Sequence, residues 1–147
     1  APAQGWLAGK VAVVVGASDV VGKPIAVLLM RQDATVISCN KWTPALPEIA
    51  RSADLLVSAA GKAGLITADM VKPGAVVIDV GVNRIPGPDG KMRTVGDVVF
   101  ETVSRVASHL SPVPGGVGPV TVSMLLHNVV EAAERRSGLL APAAPPG

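Results

Sequence analysis

Short runs of apolar residues recur along the chain, and segments with apolar residues at helical spacing lie between them. Runs that are apolar throughout and rich in valine are typical of parallel strands buried on both faces of a sheet. The pattern therefore predicts five strands, at Val11–Val15, Ala34–Cys39, Leu55–Ala59, Ala75–Val80 and His109–Ser111.

The segments between these runs predict the helices. Pro24 suits the first turn of a first helix, whose apolar stripe continues to Gln32. Four further helices are expected. A short one lies within Pro44–Ser52, and a second begins after a cap at Thr67 and stops at Pro73-Gly74. The other two cover Phe100–Ala107 and Val120–Arg136. The turn-rich run Pro86–Gly90 predicts an exposed loop.

Strands that alternate with helices in one chain favour right-handed crossovers and a parallel sheet. We expect a single α/β domain, a three-layer, Rossmann-like, doubly wound parallel sheet with its strands in the order 3-2-1-4-5. The domain is predicted over residues 9–137, with a lead-in at 1–8 and a flexible tail at 138–147 that is rich in Pro and Ala.

Composition agrees with a folded domain and argues against several other classes. The 147 residues are 49% hydrophobic and 16% charged, which argues against disorder. The net charge is +2 without a run of Lys or Arg, so we expect no nucleic-acid partner. No apolar stretch reaches the roughly 18 residues of a membrane span, and residues 1–5 lack the features of a signal peptide. We expect a cytoplasmic protein without membrane contact, in which the single cysteine, Cys39, is a buried structural thiol.

The turn after the first strand is the sharpest local feature. It reads Val-Gly-Ala-Ser-Asp-Val-Val-Gly-Lys-Pro over residues 15–24 and opens the first helix. A doubly wound sheet binds a pyrophosphate at this place, at the positive end of the helix. The candidate cofactor-binding residues of the turn are therefore Gly16, Ala17, Ser18, Val21 and Gly22. The spacing departs from G-x-G-x-x-G, so a glycine turn that serves only chain geometry stays open.

The end of the second strand bears on which dinucleotide binds. An NAD site often places Asp or Glu there for the ribose hydroxyls, whereas this chain has Asn40 and Lys41. Both residues are compatible with a 2′-phosphate, which favours NADP. An ordinary polar loop is the open alternative.

The titratable groups do not predict an acid–base site. Asp79 and Asp97 are expected to be structural acceptors of nearby N–H groups, and His109 and His127 to be structural histidines. No Cys/His cluster has metal-ligand spacing. We therefore name no catalytic and no metal-binding residue.

Several further segments give the chain a specific resemblance. They are Val21–Pro24, Ser58–Lys62, Lys72–Asn83, Val95–Val98 and Ser111–Thr121, the last reading Ser-Pro-Val-Pro-Gly-Gly-Val-Gly-Pro-Val-Thr. Over residues 9–136 the chain resembles the cofactor domain of the methylenetetrahydrofolate dehydrogenase/cyclohydrolase family. The run of Gly and Pro in the last segment is the most specific of these matches.

The resemblance implies NADP-dependent oxidation of 5,10-methylenetetrahydrofolate to methenyltetrahydrofolate, followed by hydrolysis to 10-formyltetrahydrofolate. It places the cofactor phosphates at Gly16 and Ser18, the 2′-phosphate at Asn40 and Lys41, and the nicotinamide near Val82. It also implies cofactor contacts at Ala60, Gly61 and Gly81, and a folate-facing edge at Gly115, Gly116, Gly118, Pro119 and Thr121.

Two departures from the family pattern affect these expectations. Ala17 stands where the family usually has an arginine, and losing that charge-assisted contact to the 2′-phosphate, about 1.5–3 kcal/mol, leaves NAD open as the cofactor. The family's catalytic lysine and tyrosine lie in an amino-terminal folate domain, and this chain has no Tyr. We therefore expect binding of a dinucleotide, and catalysis only with a folate domain that is a separate chain or was removed.

Three hypotheses for function remain. The first is an enzyme component that works with a folate domain, and the second is a non-catalytic nucleotide-binding or regulatory module. The third, a short-chain-type dehydrogenase indicated by Gly16-Ala17-Ser18, needs a Tyr-x-x-x-Lys pair that a chain without tyrosine does not supply. The resemblance alone implies a homodimer.

Overall fold

A computed structural model of the chain describes residues 7–16 and 21–110. Five parallel strands form the main sheet: β1 (Val11–Val15), β2 (Thr35–Cys39), β3 (Leu55–Ser58), β4 (Val76–Asp79) and β7 (His109–Leu110). A second sheet pairs β5 (Asn83–Pro86) with β6 (Met92–Val95). The helices are α1 (Gly22–Met30), α2 (Leu46–Arg51) and α3 (Phe100–Val103), with a 3-10 helix at Ala68–Met70. The predicted α/β class with a parallel sheet is confirmed.

The order of the strands differs from the prediction. The main sheet runs β2-β1-β3-β4-β7, so the predicted order 3-2-1-4-5 is wrong and the third strand lies on the other side of the first. All four residues of β3 are buried, which fits an interior place between β1 and β4. In β2, Thr35 and Ser38 are exposed, which fits the edge of the sheet.

This order fixes where the direction of winding reverses. The chain passes from β1 to β2 on one side, then crosses β1 and continues through β3, β4 and β7 on the other. In open α/β sheets a ligand-binding crevice lies outside the carboxyl ends of the strands at such a reversal. The expected crevice is therefore at the ends of β1 and β3.

Two apolar clusters cover the two faces of the sheet and make three layers. Alternate residues of each strand enter opposite clusters, since side chains of a strand alternate between faces. Ile25 and Leu29 of α1 pack in the first cluster with Val14. Ala50 of α2 and Val103 of α3 pack in the second.

Cys39 belongs to the second cluster and is fully buried, so the predicted structural thiol is confirmed. Burial raises the pKa of the Cys39 thiol, against the opposing effect of a hydrogen bond with Thr43. A thiol that stays protonated and inaccessible packs as a small apolar side chain.

Some predicted helices are shorter than the pattern indicated. The helix expected over Phe100–Ala107 ends at Val103, and residues a few positions later are bonded to the turn before β4. Gly74 N–H donates to the Val106 carbonyl at 2.9 Å, and Ser108 N–H to the Ala75 carbonyl at 2.8 Å. Thr67 is the N-cap residue of the 3-10 helix as predicted, but its hydroxyl bonds to the Asp69 carboxylate and not to a backbone N–H of the helix.

The loop expected at Pro86–Gly90 is the turn of the β5–β6 hairpin. Gly87 N–H donates to the Lys91 carbonyl at 2.7 Å, and Gly90 has a φ of 80° that glycine adopts freely. The flanking strands were not predicted because exposed residues such as Arg84 and Arg93 interrupt any apolar run.

Several predictions fall on residues outside the described ranges. These are most of the lead-in at 1–8, the helix over Val120–Arg136 and the tail at 138–147. Across residues 7–16 and 21–110, no helix has the length and apolar character needed to cross a membrane.

Asp54 joins strands at the amino-terminal end of the main sheet. One carboxylate oxygen accepts a hydrogen bond from Val11 N–H at 2.9 Å, and the other lies 2.7 Å from the Lys72 ammonium. Burial raises the pKa of Asp54, but the contacts with Lys72 and Val11 outweigh it and hold the pKa below its ordinary value.

We expect Asp54→Asn to lower the free energy of unfolding at pH 7 by about 1 kcal/mol, since the pair is partly exposed. The folded-state pKa lies below the unfolded one, so the carboxylate stabilises the fold above pH ~4 and loses this effect as the pH falls through the folded value. Urea unfolding at pH 7 and pH 3 should show the difference between variant and wild type shrinking at pH 3. Glu101→Gln is the control, because its 3.9 Å pair with Arg105 is exposed on both sides. An equal loss in both variants would contradict the assigned role of Asp54.

Candidate functional site

A cavity of 660 Å³ opens at the carboxyl ends of β1, β2 and β3. It lies at the reversal of winding, where the fold predicts a crevice. Its lining is a mixture of aliphatic side chains, backbone, two lysines and one indole, from Val15, Gly16, Asn40, Lys41, Trp42, Thr43, Leu46, Ala59, Ala60, Lys62 and Leu65. The volume falls within the range of small-molecule sites, about 300–1,000 Å³.

Gly16 lets the end of β1 pass directly against the end of β3. Its φ is +98°, and a Cβ at this position would lie 2.6 Å from the Ala59 carbonyl carbon and 2.8 Å from Ala60 Cα. Its N–H donates to the Cys39 carbonyl at 2.9 Å. Only glycine fits this place, because a side chain would collide with the end of β3, and Gly16 lines the cavity with its backbone alone.

The turn after β2 is built by its own hydrogen bonds. Asn40 N–H donates to the Thr43 hydroxyl at 2.8 Å, Trp42 N–H donates to the Asn40 side-chain oxygen at 2.8 Å, and Thr43 N–H donates to the Asn40 carbonyl at 3.1 Å. The Lys41 ammonium lies 5.1 Å from the centroid of the Trp42 ring, within cation–π range. The turn therefore presents a cation and an aromatic ring together at the cavity.

The loop after β3 is held by the carboxylate of Asp97, which is fully buried. Its oxygens accept hydrogen bonds from the Ser58 hydroxyl at 2.8 Å, the N–H groups of Ala60, Gly61 and Lys62 at 2.8, 3.3 and 2.9 Å, and the Asn83 amide at 3.0 Å. Bonds from several donors are what make a buried carboxylate tolerable. The expected role of Asp97 as an acceptor is confirmed.

Asp79, at the end of β4, accepts three backbone hydrogen bonds, from Gly81, Asp97 and Val98 at 3.0, 3.1 and 2.9 Å. Burial raises the pKa of the Asp79 carboxyl, the nearby Asp97 adds to the rise, and the three bonds act against it. Its expected role as a structural acceptor is also confirmed.

Two glycines make room for these two carboxylates. A Cβ at Gly81 would lie 2.6 Å from an Asp97 oxygen, and a Cβ at Gly96 would lie 2.5 Å from the Asp79 carboxyl carbon. Each aspartate thus occupies the space that a side chain on the other segment would need. The exit of β4 and the segment after β6 are locked together by this exchange.

Four of the residues expected to bind a cofactor line the cavity together: Gly16, Asn40, Lys41 and Ala60. Five other residues that were expected to bind a cofactor lie at the same edge of the sheet as the cavity but are not among its lining residues. Val21 and Gly22 are at the start of α1, Gly61 is in the loop held by Asp97, and Gly81 and Val82 follow β4. The remaining candidates, Ala17, Ser18, Gly115, Gly116, Gly118, Pro119 and Thr121, fall outside the described residues.

Seven of the lining residues were not predicted as cofactor contacts: Val15, Trp42, Thr43, Leu46, Ala59, Lys62 and Leu65. Trp42 and Thr43 directly follow the predicted pair Asn40 and Lys41, so an aromatic residue at a strand exit was an available signal. Val15, Ala59 and Lys62 directly adjoin predicted residues, in the turn after β1 and in the segment Ser58–Lys62, so they also had a signal. Leu46 and Leu65 had none, because only the fold brings the segments after β2 and β3 to one cavity.

His109 is a titratable residue that is not among the lining residues of this cavity. His109 begins β7 opposite Val76, at the amino-terminal edge of β4, and contacts the Ser108 hydroxyl at 3.3 Å. Within the part of the chain that the structure describes, no group of three or more His, Cys, Asp or Glu is placed to hold a metal ion.

A doubly wound sheet with a cavity at its winding reversal defines a nucleotide-binding α/β domain. Residues 3–137 match the family described as tetrahydrofolate dehydrogenase/cyclohydrolase, NAD(P)-binding domain. The chain belongs to this family, as the resemblance in its sequence indicated.

Individual relatives agree with this assignment. The chain is 55% identical over 135 residues to the bifunctional protein FolD of an Exiguobacterium species, covering 92% of this chain and 47% of the relative. It is similar to the crystal structure of FolD from Campylobacter jejuni, at 50% identity and a TM-score of 0.70, over 88% of this chain and 45% of that one. It is also similar to the Trypanosoma brucei FolD solved with NADP and an inhibitor, at 45% identity and a TM-score of 0.71, over 89% and 46% of the two chains. The chain spans about half the length of the curated relatives it matches.

We expect Asp97→Asn to lower the free energy of unfolding by about 2–3 kcal/mol, since an amide nitrogen then faces donors that need an acceptor. Hydrogen exchange at Ala60, Gly61 and Lys62 should become faster, because these amides lose part of their acceptor. Thermal unfolding and exchange measured by NMR test both effects. Asp89→Asn is the matched control, as this exposed aspartate accepts one bond from Lys91 N–H in the hairpin turn. Unchanged exchange in Asp97→Asn would show that the carboxylate does not hold the loop.

Proposed function

We propose that the chain is the NADP-binding half of a methylenetetrahydrofolate dehydrogenase/cyclohydrolase. The observation that carries the proposal is the cavity at the reversal of winding, with the backbone of Gly16 and Ala60 in its wall. In this class of fold the pyrophosphate approaches the first strand's exit, and a dinucleotide spans the crevice on both sides of it.

The residues present fit a dinucleotide. Gly16 has no side chain, and the end of β3 fills the place that its Cβ would take. Bare backbone of Gly16 and Ala60 therefore lines the cavity, which suits the close approach of a pyrophosphate. The cavity extends from Gly16 toward β2, which is the adenosine side of such a site. Its volume of 660 Å³ is sufficient for that half of the cofactor.

The charges at the cavity favour a 2′-phosphate. Lys41 and Lys62 both line it, and none of its described lining residues is acidic. A carboxylate there would bind ribose hydroxyls and repel a phosphate, whereas lysines bind phosphate as point charges. We therefore infer a preference for NADP through Lys41 and Asn40, with NAD as the alternative that Ala17 leaves open.

On the other side of the crevice, the exit of β4 would receive the nicotinamide. Val82 is 50% exposed there and follows Gly81, whose backbone is fixed against Asp97. Bound NADP would supply the hydride acceptor, and the chain's own residues would bind and orient it. Folate contacts at Gly115, Gly116, Gly118, Pro119 and Thr121 remain a prediction.

The two reactions inferred for the whole protein are oxidation of 5,10-methylenetetrahydrofolate and hydrolysis of the product to 10-formyltetrahydrofolate. Because the chain covers about half of its relatives' length, we assign it the cofactor half and expect the folate half elsewhere. Asp79 and Asp97 are both engaged in backbone hydrogen bonds, so neither is assigned a proton-transfer role. The homodimer implied by the family resemblance remains a prediction.

We expect Lys41→Gln to weaken NADP binding by about one to two decades and to change NAD binding little, because a charge-assisted contact to a phosphate is worth roughly 1.5–3 kcal/mol. Isothermal titration calorimetry with both dinucleotides measures this. Lys91→Gln is the control, since this lysine is exposed on the hairpin. Equal losses for NADP and NAD in Lys41→Gln would contradict a 2′-phosphate contact.

The division into two halves has its own test. We expect the pure chain to form no NADPH from NADP and methylenetetrahydrofolate, and to do so once the separately expressed amino-terminal half of a FolD relative is added. Absorbance at the NADPH band follows the reaction. Turnover by the pure chain would refute the requirement for a folate half. NADP binding without turnover in the mixture would favour a regulatory nucleotide-binding module.

A further inference from the structure

Trp42 occupies an unusual place for a large aromatic side chain. It is 79% exposed and yet belongs to the wall of the cavity. The chain has three aromatic residues, two Trp and one Phe. Single exposed apolar side chains are common on protein surfaces, so the location of the ring at the site, and not its exposure, is the informative observation.

The backbone that carries the Trp42 indole is fixed before any ligand arrives. Its N–H donates to the Asn40 side-chain oxygen at 2.8 Å, and Asn40 N–H donates to the Thr43 hydroxyl at 2.8 Å. An indole has only two rotatable side-chain bonds, so little conformational freedom is left to lose on binding. The Lys41 ammonium lies over the ring, 5.1 Å from its centroid, which leaves the opposite face as a flat surface for a ligand.

The chemistry of the cavity indicates what would use that surface. Aliphatic groups of Val15, Leu46 and Leu65 share the cavity with the indole, which suits the faces of a flat, neutral heterocycle. Base–aromatic stacking is favourable for any nucleobase because every base has a π-face. The side toward β2 is the adenosine side of a dinucleotide site in this fold.

We propose that the Trp42 indole is the stacking surface for the adenine ring of the dinucleotide. This inference rests on the proposed cofactor function. NAD and NADP share adenine, so Trp42 contributes equally to the binding of both, whereas the neighbouring Lys41 separates them through the 2′-phosphate. Two adjacent residues of one turn thus have different effects: Trp42 contributes to the affinity for both dinucleotides, and Lys41 to the discrimination between them.

Calorimetry and fluorescence of the full chain test the proposal. We expect Trp42→Leu to weaken NAD and NADP equally, by about tenfold or more. Trp42→Phe should retain part of the affinity because a smaller aromatic face remains. Phe100→Leu is the matched control, an exposed aromatic of 54% that is not among the cavity's lining residues, and it should bind as the wild type does.

Fragments of the cofactor locate the contact. In Trp6→Phe, where Trp42 is the remaining tryptophan, adenosine monophosphate should quench the fluorescence and nicotinamide mononucleotide should not. Unchanged affinity of Trp42→Leu for both dinucleotides, or quenching by the nicotinamide fragment instead, would overturn the stacking role while the proposed function stands. Failure of the wild-type chain to bind either dinucleotide would overturn both.

Discussion

The buried carboxylate of Asp97 is the contact on which the geometry of the crevice depends. Its charge is unfavourable away from water unless donors surround it, and five donors do so, from Ser58, Ala60, Gly61, Lys62 and Asn83. These donors come from the end of β3, from the loop after it and from the start of the hairpin. The bonds that stabilise the charge therefore also fix the wall of the cavity on which Ala60 and Lys62 lie.

Three close approaches lie at this edge of the sheet, and each depends on a glycine. Gly16 passes Ala59, Gly81 admits Asp97, and Gly96 admits Asp79. Their shared effect is to draw the exits of β1, β3 and β4 together on one edge of the sheet. The turn after β2, in contrast, is held by its own Asn40 and Thr43 side chains. A backbone edge held by close contacts and a turn held by its own hydrogen bonds therefore meet at the cavity.

The aspartates bond to the backbone while other side chains face the cavity, and this separation fits a domain that binds and orients a cofactor for chemistry completed elsewhere. The two buried aspartates serve the backbone, and the groups that face the cavity are lysines, amide, hydroxyl, indole and aliphatic side chains. Under the proposed function these groups would recognise phosphate, ribose and a flat base. The chain matches about half the length of its curated relatives, and the proposed function assigns the folate chemistry to the other half.

The sequence by itself determined the strands of the main sheet, the start of α1, the buried thiol at Cys39, the acceptor roles of Asp79 and Asp97, and the family. These follow from local apolar pattern, residue type and motif. Only the tertiary structure decided the strand order and the hairpin. The apolar pattern indicates which residues are buried but not which strands are neighbours, so it did not show that β2 lies at the edge of the sheet. The exposed strands β5 and β6 have no apolar run from which they could be predicted. The cavity was also a tertiary result, because Lys62 and Leu65 meet Trp42 only when the chain crosses β1 and brings the exits of β2 and β3 to one edge.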